Sequence, residues 1–385
     1  MSAPALDRTD LLERCDAVVA ELADLAAGND ARAEIDPRSL ALVHGAGLLT
    51  ATVSRTHGGP GLGHHGVHEL LRRLGRADPA VALVVAMTLA LHQQEARAPR
   101  LDPAFYGRIL AESRERPTLL NALQVEPALG TPSRGGRPAT TAVREGDGWR
   151  LTGHKIYSTG APHLRWMLVL ATTDEPRPRV GTFAVDASAP GIEIRPTWSS
   201  LGMRATRSDD VVFTGTPVAG SAVSGLAPAD DRPKAHPGPG TGIPSIYLGV
   251  AEAARTWLVR FVRERVPTNL GHPLAELPRI QDAIGEITVA LTGARELLSA
   301  LAAQADAGRE IPRDTAWSAK TLATRAAIGA VEKAVALIGN PGLSGTNPLE
   351  RHLRDVLAAR VHFPQEDTVV ATLGREAVAN RDDHS

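Results

Sequence analysis

The chain has 385 residues, and its 42 Lys and Arg residues almost balance its 43 Asp and Glu residues, which leaves a formal net charge of −1. At roughly 150 residues per domain, this length allows two or three domains and a large buried core. Without an excess of positive charge, nucleic acid and anionic membrane surfaces are not expected partners. The single cysteine, Cys15, excludes an intrachain disulfide and a cysteine-based zinc cluster. It is typical of a reducing compartment, so we expect a cytoplasmic protein.

The first third of the chain is predicted to be helical. Apolar residues recur at helical spacing up to about residue 113, as in the stripe formed by Leu11, Val18 and Leu22. The longest apolar run, from Pro79 to Leu91, is shorter than the roughly 20 residues of a membrane span, so a buried helix is expected. The N-terminus has no basic segment followed by an apolar one, so secretion is not predicted. We expect an N-terminal helical domain over residues 1–118 and no membrane contact.

A change of pattern near residue 117 predicts a β domain. Short runs with strand character follow one another up to residue 218, separated by Gly, Pro and Asp. The runs are WRLTG, MLVLAT, VGTFAV, GIEIRP and DVVFTG. They predict a central antiparallel β domain over residues 119–226, followed by a Pro/Gly-rich exposed loop over 227–244.

Helical periodicity returns after this loop. Two long amphipathic segments, at about residues 276–307 and 313–337, predict an antiparallel helical pair within a C-terminal bundle over residues 245–385. Pro278 and Gly339 stand where a helix is expected to begin and to end. The order helical, β, helical makes α+β the expected fold class.

Two local patterns in the first third do not predict a ligand site. Gly61, Gly63 and Gly66 match the dinucleotide-binding pattern GxGxxG, but no series of βα units surrounds them, so a helix-connecting loop is the better interpretation. His64 and His68 have the i, i+4 spacing of metal ligands without a third ligand nearby, so no metal is expected.

Six segments, in order along nearly the whole chain, resemble the signature segments of the acyl-CoA dehydrogenase superfamily. These are GLLTATVSRTHGGPGLG, LRRLGRADPAVALVVA, EPALGTPSRGG, GWRLTGHKIYSTGAPHLRWMLVLATTD, SSLGMRATRSDDVVFTGTPV and NPLERHLRDV. The resemblance implies the acyl-CoA dehydrogenase fold, with an N-terminal helical domain, a central β domain and a C-terminal four-helix bundle. It also implies a homotetramer or homodimer that binds a flavin between domains, FAD by family frequency and FMN as the alternative.

The resemblance also implies which residues hold the flavin, because loops of a rigid sheet can shield the ring and donate hydrogen bonds to it. By analogy, two loops flank the ring, and their residues are Gln124, Val125, Glu126, Tyr157, Ser158 and Thr159. Gly130 and Thr131 match a loop beside flavin and substrate, and Gln365 is a further cofactor-binding candidate. Arg263 or Arg265 would hold the flavin pyrophosphate of a neighbouring subunit, a role that suits guanidinium geometry.

The residue at the catalytic position departs from the family pattern. Dehydrogenation of an acyl thioester needs a carboxylate that removes the α-proton while the β-hydride passes to the flavin. The resemblance places Phe363 where the family has a glutamate, with His362 directly before it. Some relatives carry the glutamate before the bundle arginine instead, but the matching stretch here, GPGPGTGIPS, contains no acid. Phenylalanine cannot accept a proton, so the sequence leaves the reaction open.

Acyl-thioester dehydrogenation with a non-standard base is one of two mechanisms on this scaffold. Glu366, Asp367 or Glu126 would take the α-proton, and an electron-transfer partner would receive the electrons. A third class, a catalytically silent flavin-fold scaffold that serves interactions, is the alternative to both enzyme classes.

Oxygenation of a small-molecule substrate is the other mechanism. A flavin reductase would deliver reduced flavin, which reacts with oxygen, as in the two-component monooxygenases of the superfamily. His362, His92 and Ser158 are the catalytic candidates. A histidine can donate a hydrogen bond to the activated oxygen and prevent its loss as hydrogen peroxide, a task for which a carboxylate is unsuited.

Overall fold

Three helices of the first third begin at the dipeptide Asp-Pro. The side chains of Asp36, Asp78 and Asp102 accept hydrogen bonds from backbone N–H groups of the first turn, and proline follows each of them. Proline suits this position because its missing N–H would have no helical partner. The chain is described by a computed structural model over residues 8–128, 136–229 and 239–379. Its first helices are α1 (Arg8–Arg32), α2 (Pro37–Gly45), α3 (His64–Ala77), α4 (Pro79–Arg97) and α5 (Pro103–Glu115).

A twisted sheet occupies the middle of the chain. Its strands are β1 (Leu119–Leu123), β2 (Thr141–Glu145), β3 (Gly148–Lys155), β4 (Leu164–Thr173), β5 (Arg179–Asp186), β6 (Ile192–Arg195), β7 (Asp210–Ala219) and β8 (Val223–Pro228). They lie in the order β6-β7-β3-β2-β4-β5-β8, and β1 also pairs with β4. Nearly every residue of β4 is buried, as expected of a strand covered on both faces.

Long helices form the last third: α6 (Gly242–Glu264), α7 (Pro278–Asp306), α8 (Arg313–Ile338), α9 (Leu349–Leu357) and α10 (Glu366–Ala379). Helix α8 buries alanines along its length. Because alanine has a short side chain, neighbouring helices can approach it closely. Gly339, with φ of 67°, follows the last residue of α8.

Two glycines let α3 and α6 cross at close range. A Cβ atom on Gly75 would lie 2.3 Å from the carbonyl oxygen of Ile246, and one on Gly249 would lie 2.2 Å from that of Arg72. No side chain fits at either position, so the N-terminal helices and the C-terminal bundle share one packed interface.

Helix α9 joins the bundle to both other parts of the molecule. The Asp355 carboxylate accepts a 2.6 Å hydrogen bond from the backbone N–H of Met203, which precedes β7. Arg354 pairs with Asp30 on α1 at 2.6 Å. A Cβ atom on Gly202 would lie 2.1 Å from the carbonyl oxygen of Arg354. These contacts fix the position of α9, after which the chain leads to residue 362.

The structure agrees with the expected α+β class and contains the five strands that alternation predicted. It adds β1, β2 and β8, whose short runs carry little periodic signal. The expected antiparallel pairing holds for most neighbours, but β1 and β2 each pair with β4 in parallel, so the sheet is mixed. Among the helices that the structure describes, none combines the length and apolarity that a membrane span requires.

Candidate functional site

The two loops expected to flank a flavin lie side by side. The loop after β1 carries Gln124 and Val125, and the loop after β3 follows Lys155. The backbone N–H of Ile156 donates to the carbonyl of Val125 at 3.0 Å. The side-chain amide of Asn121 donates to the carbonyl of Thr159 at 2.9 Å. Gln124 is exposed beside this junction and Val125 is half-buried, so the structure brings the two predicted loops into one cradle.

A buried ion pair joins the loop after β1 to the end of β3. The Lys155 ammonium lies 2.5 Å from a Glu126 carboxylate oxygen and also donates to the Leu170 carbonyl at 2.7 Å. The same carboxylate accepts from the Thr140 hydroxyl and from the backbone N–H groups of Ala139 and Thr140. Burial alone would raise the pKa of Glu126, but the hydrogen bonds from Lys155 and Thr140 outweigh it and lower that pKa. Glu126 is therefore an ionised group held by these contacts, an arrangement that does not favour a role as a catalytic base.

The turn after β3 presents a buried hydroxyl. Tyr157 has φ of 55°, a left-handed conformation, and its side chain is 62% exposed. The next side chain, Ser158, is buried, and its hydroxyl has no hydrogen-bond partner within the residues described. The Thr159 hydroxyl instead lies 3.0 Å from that of Ser208. A buried polar atom of this kind needs a partner, and a polar edge of a flavin ring fits it.

The loop between α9 and α10 places His362 against α6. Its Nε2 atom lies 2.6 Å from the phenol oxygen of Tyr247, a side chain with no exposed surface. Burial, assisted by the charge of Lys320, lowers the pKa of His362 to about 4, so the imidazole is neutral near neutral pH. The neighbouring Phe363 is 43% exposed and contacts the ring of Trp317 edge-on.

The other two acids considered as bases lie at the start of α10. Glu366 pairs with Arg325 at 2.8 Å. The Asp367 carboxylate accepts from the backbone N–H of Thr368 at 2.7 Å. Gln365, just before them, has a buried side-chain oxygen that lacks a partner in the described part of the chain. This amide can accept or donate to a cofactor, whereas both acids are already engaged at the protein surface.

His92 occupies a second buried position, on α4. Only 1% of its side chain is exposed, and its Nδ1 atom lies 3.0 Å from the phenol oxygen of Tyr106 on α5. Its Nε2 atom has no partner among residues 8–128, 136–229 and 239–379. Burial lowers the pKa of His92 to about 4, so this imidazole is also neutral. No hydrogen bond or ring contact in the described structure joins His92 to His362.

No hydrogen bond or ion pair among the described residues joins Arg263 or Arg265 to this cradle. Arg263 lies in the last turn of α6 and Arg265 directly follows that helix, both exposed and without a carboxylate partner among the described residues. Gly130 and Thr131 lie outside the described residues. Sequence patterns missed Tyr247 and Tyr106, although two of the three tyrosines in the chain prove to be histidine partners.

Two family models match the chain: the acyl-CoA dehydrogenase middle domain over residues 125–216 and the acyl-CoA dehydrogenase C-terminal domain over residues 241–366. YdbM of Bacillus subtilis (strain 168), named as an acyl-CoA dehydrogenase, is 30% identical over 368 residues, which cover 95% of this chain and 96% of YdbM. The chain therefore belongs to the acyl-CoA dehydrogenase family, as the six sequence segments predicted.

A second relative has a different activity in its name. The amino sugar nitrososynthase DnmZ of Streptomyces peucetius is 30% identical over 385 residues, which cover 93% of this chain and 89% of DnmZ. The solved structure of KijD3 in complex with FMN and a dTDP-linked sugar matches with a TM-score of 0.81 over 98% of this chain and 95% of KijD3, at 23% identity. This likeness confirms the fold.

Proposed function

We propose that this protein is a flavin-dependent monooxygenase that uses reduced flavin and oxygen to oxygenate a small molecule. One observation carries the proposal: the loop between α9 and α10 holds a neutral histidine, His362, hydrogen-bonded to Tyr247. Its neighbour Phe363 stands at the position that the family resemblance assigns to the glutamate. A neutral imidazole is a poor base for a weak carbon acid, but it can donate a hydrogen bond to an oxygen species.

The residues present fit a flavin. The unpartnered Ser158 hydroxyl and Gln365 amide oxygen are buried polar atoms of the kind that a cofactor satisfies. The loops around Val125 and Thr159 supply backbone groups, and KijD3 shares the fold and holds FMN. When bound in reduced form, a flavin supplies two electrons to oxygen, so that one oxygen atom passes to the substrate and the other leaves as water. FMN or FAD would therefore rest on the cradle formed by these loops.

The chain's own groups would orient the reaction and keep water out. His362 would donate a hydrogen bond to the activated oxygen, and Ser158 would hold the flavin edge. His92 would offer its buried Nε2 atom to a ligand. The exposed Arg263 and Arg265 would reach a flavin only in a neighbouring subunit, which is part of our proposal of a homotetramer or homodimer. A flavin reductase would be the partner that delivers reduced flavin.

Acyl-thioester dehydrogenation is the second candidate, favoured by the name of YdbM, a relative over nearly the full chain. It needs a carboxylate at the α-proton, whereas Glu126 is bound to Lys155 and Glu366 to Arg325. The Asp367 carboxylate accepts from the backbone of its own helix. Dehydrogenation would therefore require one of these contacts to break.

Anaerobic titration separates the two candidates. The protein is loaded with FMN or FAD and mixed, without oxygen, with a panel of acyl-CoA thioesters while flavin absorbance is followed. We expect no bleaching. In the matching experiment the flavin is reduced chemically and mixed with oxygen, and we expect slow release of hydrogen peroxide in the absence of substrate. Bleaching by any acyl-CoA that is lost in Glu366→Gln would replace the monooxygenase proposal by the dehydrogenase one.

A further inference from the structure

The contact between Tyr247 and His362 bears on which nitrogen of the imidazole carries the proton. Tyr247 is on α6, without exposed surface, and its phenol oxygen lies 2.6 Å from His362 Nε2. The two residues are 115 positions apart in the chain. Among the residues that the structure describes, the phenol makes no other hydrogen bond. The phenol proton therefore has one acceptor available to it, the imidazole.

Two arrangements of the protons are conceivable, and one of them is costly. If Tyr247 donates, Nε2 accepts with its lone pair, and the single proton of the neutral imidazole must lie on Nδ1. If Nε2–H donates instead, the buried phenol proton has no acceptor, which is unfavourable in a site shielded from water. Burial, together with the charge of Asp355, raises the pKa of Tyr247, so the phenol keeps its proton.

The groups packed around the pair keep it in one protonation state. Lys320 on α8 is buried, donates to the carbonyl of Ala359 at 3.3 Å and faces the imidazole from the bundle side. Asp355 on α9 acts on the phenol and is bound to the backbone of Met203. The cation beside the imidazole disfavours transfer of the phenol proton to the ring, and negative charge on Asp355 acts in the same direction because it raises the pKa of the phenol.

We infer that Tyr247 is a positioning residue that fixes the tautomer of His362 and so leaves Nδ1–H as the donor on the side of the ring away from α6. The group that meets this nitrogen must then be a hydrogen-bond acceptor, such as an oxygen atom held on the flavin or a flavin carbonyl. The value of this donor for oxygen chemistry rests on the proposed function, whereas the tautomer itself does not.

The tautomer is tested by 15N NMR of flavin-loaded protein labelled at histidine. His362 is identified among the 13 histidines by its absence from the spectrum of His362→Gln. We expect a protonated Nδ1 and an unprotonated Nε2 in the wild type, and a shift toward protonated Nε2 in Tyr247→Phe. A wild-type spectrum with the proton on Nε2 overturns the inference, and this result does not depend on whether Tyr247→Phe folds. An unchanged tautomer in folded Tyr247→Phe overturns it as well.

The functional role is tested with two substitutions that each keep one donor. The amide nitrogen of asparagine takes the place of Nδ1, and that of glutamine takes the place of Nε2. We expect His362→Asn to release hydrogen peroxide from reduced flavin roughly three- to tenfold more slowly than His362→Gln, the factor set by one ordinary hydrogen bond. Tyr247→Phe should raise peroxide release by a similar factor in the wild type and have no effect in His362→Asn, a non-additive pair.

These readouts separate the two proposals. A fixed Nδ1 proton with equal peroxide release from His362→Asn and His362→Gln would retain the tautomer and overturn the proposed role in oxygen chemistry. A proton on Nε2 with strong uncoupling in His362→Ala would overturn the tautomer and retain a role of the histidine in oxygen chemistry.

Discussion

The molecule contains two buried tyrosine–histidine pairs that differ in which ring nitrogen they leave open. In the bundle, Tyr247 meets His362 at Nε2, and the imidazole stays partly accessible on a loop. In the helical first third, Tyr106 meets His92 at Nδ1, and the imidazole is enclosed by α4 and α5 with its Nε2 unpartnered within the described residues. Both imidazoles are neutral near pH 7.

The comparison shows that the same type of phenol–imidazole hydrogen bond can have two different roles. A buried phenol that donates to one nitrogen assigns the proton to the other. For His362 the assigned donor lies on the loop between α9 and α10, whereas for His92 it lies within helix α4 and is almost completely buried. We therefore expect substitutions at the first pair to have the larger effect on chemistry and substitutions at the second pair to have the larger effect on stability.

Loss of the whole imidazole at His362 should have the largest effect. His362→Ala removes a preorganised donor, so we expect hydrogen peroxide release from reduced, flavin-loaded protein to rise about a hundredfold. The measurement is stopped-flow mixing with oxygen followed by a peroxide assay. His154→Ala is the control, because His154 binds Asp210 on the sheet at 2.7 Å and should leave the rate unchanged. An unchanged rate in His362→Ala with flavin still bound would remove the proposed role.

The next effect should be on folding, and it should be larger at the enclosed pair. Tyr106→Phe leaves Nδ1 of His92 without its partner in a site that water does not reach, so we expect a loss of about 1–3 kcal/mol in the free energy of unfolding. Tyr247→Phe should cost less, because the imidazole of His362 is partly accessible. Urea unfolding followed by circular dichroism measures both. Equal losses would contradict the difference drawn between the two pairs.

Both pairs should make the protein less stable in acid. The pKa values of His92 and His362 in the folded state, about 4, lie below the ordinary value of 6.5. Between these pH values, the two histidines are protonated in the unfolded chain but not in the native state. Stability must then fall as pH falls through this window, by up to about 1.4 kcal/mol per pH unit for each histidine. The free energy of unfolding measured from pH 7 to pH 4 should lose part of this slope in His92→Gln. An unaltered slope would show that His92 is not held neutral.

The smallest effect should distinguish the causes of the two low pKa values. Lys320 contributes to the low pKa of His362, whereas His92 is governed by burial alone. Lys320→Gln should therefore raise the pKa of His362 by less than about one unit and leave that of His92 unchanged, as measured by NMR titration. Lys333→Gln is the control, since Lys333 is exposed and pairs with Glu286. A shift at both histidines would indicate a general rearrangement.

The sequence predicts much of the fold, because alternation and helical spacing are local signals. The runs around Trp149, Met167 and Phe183 became β3, β4 and β5, and Pro278 and Gly339 do stand at helix ends. β1 escaped notice because five apolar and polar residues carry no clear period. The family resemblance identified His362 as a candidate, because it directly precedes Phe363 at the position of the family's glutamate.

The candidate site was less predictable because its decisive contacts are not local. Nothing in the spacing of residues links Tyr247 to His362 across 115 positions. Lys155 is the last residue of β3, and only the structure shows it buried against Glu126. Burial of a charge depends on what the fold places around it, so the ion pair that holds Glu126 could not be foreseen from the sequence.

The glycine-mediated crossing of α3 and α6 has a consequence for synthesis of the chain. Gly75 leaves the ribosome long before Gly249, and at ordinary translation rates the delay is on the order of 10 to 40 seconds. Throughout that time Leu70, Leu71 and Leu74, which are fully buried in the finished protein, have no α6 to cover them. The N-terminal helices therefore expose apolar side chains during synthesis. The nascent chain must be protected from aggregation until the bundle has formed.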